Sequence, residues 1–100
     1  MRPNPKDFVI LDRLSDLDGL DFRPMFDGLG LYRDGRFFGI VTGGRIYLKT
    51  WPQTLARFRE RGMEPFQPSP TTRLVSYFQV PDEVTREPAQ LCTWAHEAWQ

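Results

Sequence analysis

The sequence predicts an α+β domain, with a mainly antiparallel sheet of four to six strands and three helices. Two observations carry the sheet. Asp34-Gly35 and Gly43-Gly44 are two-residue hairpin signals, and apolar and aromatic runs flank each of them. A third carries the helices: apolar residues recur at spacings of three and four on both sides of that block, from Phe8 to Leu17 and from Leu91 to Trp99.

The first helix is expected to start at Asn4-Pro5. Asn4 serves as N-cap, Pro5 as first helical residue, and Asp7 lies near the positive end of the helix dipole. Phe8, Leu11, Leu14 and Leu17, widened by Ile10, form its apolar stripe, and Gly19 is the expected left-handed exit. Phe22 to Phe26 is a short extended segment, with Pro24 placing it at an edge.

Counting back from the turns gives a register. Arg33 faces Arg36, Tyr32 faces Phe37, Leu31 faces Phe38, Gly30 faces Gly39 and Leu29 faces Ile40. In the second hairpin Thr42 faces Arg45, Val41 faces Ile46, Ile40 faces Tyr47 and Gly39 faces Leu48. Side chains alternate across a strand. One face then carries Leu29, Leu31, Phe38, Ile40 and Tyr47, and the other Tyr32, Phe37, Val41, Ile46 and Leu48 with both glycines. Both faces are apolar, so both are expected to be covered by helices or a second subunit.

Thr50 and Gln53 have capping-box spacing for a second helix that runs to Arg61, with Pro52 in its first turn. Gly62 is the residue after its C-cap, Met63 packs back on Phe58, and Leu55, Phe58 and Ala56 face inward. Arg57, Arg59 and Arg61 read as a solvated face. Glu64 to Pro70, with three prolines, reads as a loop anchored by Phe66, and Thr72 to Val80 as the next strand. Its alternate sets are Leu74, Ser76, Phe78, Val80 and Val75, Tyr77, Gln79. After Pro81, Asp82 caps a turn. Pro88 starts the last helix, whose face is Leu91, Trp94, Ala95, Ala98 and Trp99.

One hundred residues fit a single domain over 1–100, and 40% hydrophobic residues suit a packed core. Thirteen basic and thirteen acidic residues sum to zero, which argues against a general nucleic-acid glove. The charge is unevenly spread: residues 23–73 hold nine basic and four acidic side chains, while both ends are net acidic. An intramolecular pairing of the basic block with acidic ends is the expected reason. Cys92 stands alone, which excludes an internal disulfide and fits a reducing cytoplasm. The first twelve residues lack the apolar core of a signal peptide, and no apolar run approaches the length of a membrane span.

No catalytic constellation, cofactor site or metal site can be assembled from these residues. Cys92 and His96 are four apart on one helix, but two ligands without a third make no zinc site. Ser76 lies inside a strand without a nucleophile-elbow turn, and Asp16, Asp18 and Asp21 lack the loop of an EF-hand. The glycines match no phosphate-binding pattern.

The central block nevertheless resembles a known family. Met25, Phe26, Gly28, Gly30, Leu31 and Tyr32, then Tyr47, Leu48 and Lys49, resemble the Met-Phe-Gly-Gly-x-Gly-[Leu/Ile]-Tyr and Leu-Tyr-Leu-Lys motifs of the TfoX (Sxy) N-terminal domain, found in bacterial competence regulators. Pro65 and Phe66, then Ser76, Tyr77 and Pro81, and finally Leu91 with Trp94, are similar to its later motifs in the same order. Asp27 stands where the family favours glycine, Trp51-Pro52 replaces a polar residue after the lysine, and Leu74-Val75 stands where methionine is common.

The resemblance implies an α+β domain without an enzymatic site, acting in regulation through protein contacts. It also implies a partner of the transcription-regulator class, since family members work with a cyclic-AMP receptor protein at competence promoters. Full-length regulators carry a second, helical domain that is expected to be absent here. The expected function is a cytoplasmic, non-enzymatic interaction module, homodimeric, with Trp99 as an interface residue and no membrane partner. Two alternatives stand beside it. One is a DNA-binding accessory factor using Arg33, Arg36 and Arg45 at the hairpin ends; the other is a small-molecule sensor near Gly30 and Gly39.

Overall fold

The computed structural model describes residues 4–99. Ten elements follow in order: α1 (Pro5–Arg13), β1 (Leu20–Met25), β2 (Gly28–Arg33), β3 (Arg36–Thr42), β4 (Arg45–Lys49), α2 (Pro52–Glu60), β5 (Pro65–Ser69), β6 (Thr72–Gln79), α3 (Asp82–Thr85) and α4 (Pro88–Ala98). The strands form one antiparallel sheet in the order β1-β2-β3-β4-β6-β5. The α+β class is as the sequence predicts. The fourth helix, α3, is a single turn where the sequence suggested a capped turn.

The predicted turns form. Asp34 and Gly35 have φ of 51° and 79°, and Gly43 and Gly44 have 60° and 77°, the left-handed pair that such hairpins require. A third hairpin was not expected: β1 and β2 are joined by Phe26-Asp27, with Met25 opposite Gly28. Phe26 adopts φ 54°, a region that glycine favours and phenylalanine rarely enters.

The register between β2 and β3 differs from the simple count. Arg33–Arg36 and Tyr32–Phe37 pair as expected, but a bulge then shifts Leu31 opposite Gly39, Gly30 opposite Ile40 and Leu29 opposite Val41. The two glycines therefore do not face each other. The bulge also keeps Phe38 and Val41 in one cluster with Leu29, Leu31, Ile46 and Leu48, which strict alternation forbids.

Every helix contributes to that first cluster. Ile10 and Leu11 of α1, Phe58 of α2, Val84 of α3 and Leu91, Trp94, Ala95 and Ala98 of α4 pack there. The opposite face holds a smaller cluster of Ile40, Tyr47 and Phe66, closed over by Met25, Phe37, Leu74 and Tyr77. Those residues all come from the sheet. Among the described residues the helices lie on one face only, so the part of the expectation that gave helices to both faces is corrected.

Helix ends explain their own positions. Asn4 Oδ1 accepts the Lys6 N–H at 2.9 Å, as a capping asparagine should. In α2 the cap lies one residue later than expected: the Trp51 N–H donates to Thr54 Oγ1 at 2.9 Å, while Thr50 Oγ1 donates to the Ser76 carbonyl. Gly62 at φ 70° ends α2 in a Schellman motif, with Met63 N–H bonded to Phe58 O and Gly62 N–H to Arg59 O.

Several inward faces differ from the pattern. Phe8 is 48% exposed, whereas Asp7 is 0% exposed and accepts the Gly44 N–H at 2.8 Å through Oδ1. Asp7 thus ties α1 to the second hairpin turn. Ala56 is exposed and Thr54 buried, where its hydroxyl accepts the Trp51 N–H of the cap. The Pro-rich segment is not a loop but edge strand β5, paired with β6 through shifts at Phe66. Proline is tolerated there because an edge strand need not donate outward. An irregular β6 places Leu74 and Tyr77 on the same side, breaking the predicted alternation.

Candidate functional site

Where β3 begins, β4 ends and α4 arrives, side chains converge into a cleft of about 260 Å³. Arg36 and Lys49 supply its cations; Phe37, Trp51, Tyr77 and Trp99 supply aromatic walls, with Ala98 at the side. Strand pairing explains part of this convergence, since Lys49 lies opposite Tyr77. The rest is tertiary. Trp51 donates its indole N–H to the Ala98 carbonyl at 2.8 Å, and Trp99 donates its own to the Arg33 carbonyl at 2.7 Å. Two indoles are thereby fixed, one to the end of α4 and one to the first hairpin. Fixing two indole planes this way orders the walls.

The cations rest on rings. Lys49 Nζ lies 5.0 Å from the Trp51 ring centre and 5.5 Å from that of Tyr77. The guanidiniums of Arg33 and Arg36 lie 4.9 and 5.5 Å from the Trp99 ring. A ribbon of rings continues outward from Tyr77: Phe37 at 5.0 Å, Tyr32 at 5.3 Å from Phe37, and Arg23 at 4.7 Å over Tyr32.

Burial pushes the Tyr77 hydroxyl above the usual tyrosine range, helped by the neighbouring Tyr32. Its folded value thus exceeds its unfolded one. The resulting stability is complete below about pH 10 and is lost as pH rises through the folded value. The difference in stability between the native chain and Tyr77→Phe, followed by denaturant unfolding from pH 8 to 11, should therefore shrink with rising pH. A flat difference would remove the argument.

Of the three hairpin arginines, Arg33 and Arg36 meet at the Trp99 ring and Arg45 lies apart at the other turn. Arg33 turns inward, donating to the Asp18 carbonyl at 2.9 Å and to His96 Nδ1 at 2.9 Å. Arginine carries only donors, so in this contact His96 Nδ1 is the acceptor. Arg36 leans on Trp99, and Arg45 is exposed beyond the other turn. Trp99, expected as an interface residue, is half-buried against its own chain's first hairpin.

Cys92 and His96 also part company. The Cys92 thiol donates to the Arg13 carbonyl at 3.3 Å, while His96 faces Arg33. Burial first, and Asp16 second, push that thiol above the ordinary cysteine range, which lowers its nucleophilicity. Among the described residues no three His, Cys, Asp or Glu side chains gather as a metal site, and no helix is long and apolar enough to cross a membrane.

The other motif residues have structural occupations. Gly28 lies in close contact with the β3 backbone, and Gly30 lies beneath Met25 and Phe37, which fill the space a bare glycine would leave. Tyr47 and Leu48 point to opposite clusters. Phe66 packs on Tyr47 at 4.8 Å, next to Pro65. The Ser76 carbonyl accepts from both Thr50 N–H and Oγ1, and the Pro81 carbonyl accepts from Thr85 Oγ1. Trp94 meets Phe58 edge-on at 5.1 Å, and Arg57 lies 4.1 Å above it, paired with Glu97 at 2.8 Å. Arg57 is therefore part of the packing, not of a solvated face. Sequence reasoning missed Trp51 as a wall of the cleft. Its signal was the Trp51-Pro52 departure from the family's polar residue.

Residues 12–100 match the family described as TfoX N-terminal domain. A curated relative, the DNA transformation protein TfoX1 of Aliivibrio fischeri, is 36% identical over 80 residues, which cover 78% of this chain. The same stretch covers 38% of that relative, so the chain spans well under half of its length.

Proposed function

The chain belongs to the TfoX N-terminal domain family, and from that premise we propose that it is a cytoplasmic, non-enzymatic regulatory module. It acts in competence or a related transcriptional response through contact with another protein, and as a homodimer. The observation that supports this reading is Phe26. Its backbone is held at φ 54°, and its ring is 58% exposed at the rim of the helix-free cluster, edge-on to Phe66 at 5.7 Å. A strained residue that displays a large apolar ring costs stability, and such strain is a mark of a functional constraint.

The substitution Phe26→Gly separates the two roles. Glycine tolerates this φ, so the melting temperature should hold or rise, the backbone gain being about 1 kcal/mol. Self-association, measured by light scattering over a concentration series, should weaken at least fivefold. Induction of competence genes in the bacterium that encodes the chain should fall with it. A Phe26→Gly chain that self-associates and regulates like the native one would sink the reading. The hairpin arginines favour DNA less, because Arg33 is spent on Asp18, His96 and Trp99.

A further inference from the structure

We propose that the outer edge of β1 is the surface on which a second copy of this chain docks, by antiparallel strand pairing about a two-fold axis at Phe22. This deepens the homodimer reading above and rests on it. β1 ends the sheet, and among the described residues only β2 pairs with it. Hydrogen-bonding groups alternate sides along an antiparallel strand. The Gly19 carbonyl accepts the Asp34 N–H at 3.3 Å just beyond the β1–β2 ladder, and the register runs on from there without a shift. Asp21, Arg23 and Met25 therefore bond to β2, while Leu20, Phe22 and Pro24 turn their backbone groups outward. Pro24 fits there because an outward position needs no N–H. The opposite edge is closed to such pairing: β5 carries Pro65 and Pro68 and joins β6 through register shifts. One open edge makes a closed two-fold pair and not a fibre.

The side chains select the partner. With Phe22 opposite its own copy, Asp21 of each chain stands opposite Arg23 of the other, on the helix-free face that Met25 shares. Opposite charges directly across a strand pair attract, and like charges repel. In the single chain both groups are 62% exposed; Asp21 Oδ2 lies 3.7 Å from Arg23 Nε, and Asp21 Oδ1 accepts the outward Phe22 N–H at 2.9 Å. Those contacts are local and yield to the second copy, whose Phe22 carbonyl receives the N–H. The Leu20 N–H donates likewise to the Pro24 carbonyl of the second copy. The Phe22 ring, 46% exposed on the helix side opposite Leu31, meets its own copy across the axis and is covered. The same axis puts the Phe26 turn beside the start of the second copy's β1.

The test exchanges charge between chains and reads self-association by light scattering over a concentration series at low salt. Asp21→Arg alone and Arg23→Asp alone should each associate at least tenfold more weakly than the native chain, because like charges then face each other on both sides of the axis. Mixed in equal amounts, the two variants should associate about as tightly as the native chain, since opposite charges again stand across both pairs. No effect confined to one chain produces that recovery. Added salt should narrow the differences, because exposed pairs are screened. Both variants should melt with the native chain, as both side chains are mostly exposed. Equal charge changes at exposed positions of α2, Arg59→Asp and Glu60→Arg, should neither weaken association nor gain on mixing. A native dimer that the β1 variants leave intact overturns this edge as the interface while the homodimer reading stands. So does a mixture as weak as its parts, or a control pair that behaves like the β1 pair. A native chain that stays monomeric at millimolar concentration overturns both, and makes Asp21 and Pro24 guards of an edge that pairs with nothing.

Discussion

Phe58→Ala is expected to cost about 3–5 kcal/mol, the usual range for deleting a fully buried aromatic ring. Phe58 is 1% exposed and joins three elements, lying 5.1 Å from Trp94 of α4 and 6.2 Å from Phe78 of β6. Removing the ring leaves a cavity that cannot close, since Trp94 is pinned by Arg57 and the Schellman turn anchors the end of α2. A domain of this size has a total stability of roughly 5–15 kcal/mol, so the variant approaches the edge of folding. The melting temperature should drop by at least about 12 °C. Phe8→Ala is the contrast. Phe8 stands in the stripe read from the sequence, yet it is half exposed in the structure. Its loss should shift stability by no more than about 0.5 kcal/mol. Equal losses for the two variants would show that α1 packs as the sequence periodicity suggested and not as described here.

Gly28→Ala is expected to be nearly as damaging, for a different reason. A Cβ at position 28 would lie 2.2 Å from the Val41 carbonyl oxygen and 2.6 Å from Thr42 Cβ. The first is backbone and cannot swing away. β2 must retreat from β3, and the Leu29–Val41 pairing beside it is lost. Overpacking of this kind costs about 1–3 kcal/mol and more where backbone is displaced, so a loss of about 3 kcal/mol in urea unfolding is expected. Gly35→Ala meets nothing within 4 Å and should pay only the left-handed backbone penalty of about 1–2 kcal/mol. If Gly28→Ala costs less than Gly35→Ala, the close approach of β2 and β3 is wrong.

These variants also mark where the sequence was readable. The turns at Asp34-Gly35 and Gly43-Gly44 were legible because a two-residue hairpin demands positive φ twice, and few residues supply it. The Gly62 exit of α2 and the apolar face of α4 were legible for similar local reasons. The Phe26-Asp27 hairpin was not, because neither residue advertises a left-handed turn. The candidate cleft was legible only in pieces. Lys49 and Tyr77 stood out through the family resemblance and Arg36 through its turn, but nothing in the order of residues joined them to Trp51 and Trp99.

The sequence by itself determined the α+β class, the central hairpins, the N-cap of α1 and the family, since each follows from residues close together in the chain or from a motif in fixed order; the end of α1 did not follow, since the helix stops at Arg13 with Leu14 as C-cap and not at the Gly19 exit. Tertiary structure alone decided the rest. The bulge at Phe38, the burial of Asp7 on the Gly44 amide, the pairing of the Pro-rich segment as β5 and the meeting of the two indoles with Lys49 all depend on partners distant in sequence. Periodicity assigns side chains to faces, but packing chooses the register. A bulge that keeps both Phe38 and Val41 in the helix-side core outweighs strict alternation, because burying a large apolar side chain is worth about 1.5–3 kcal/mol.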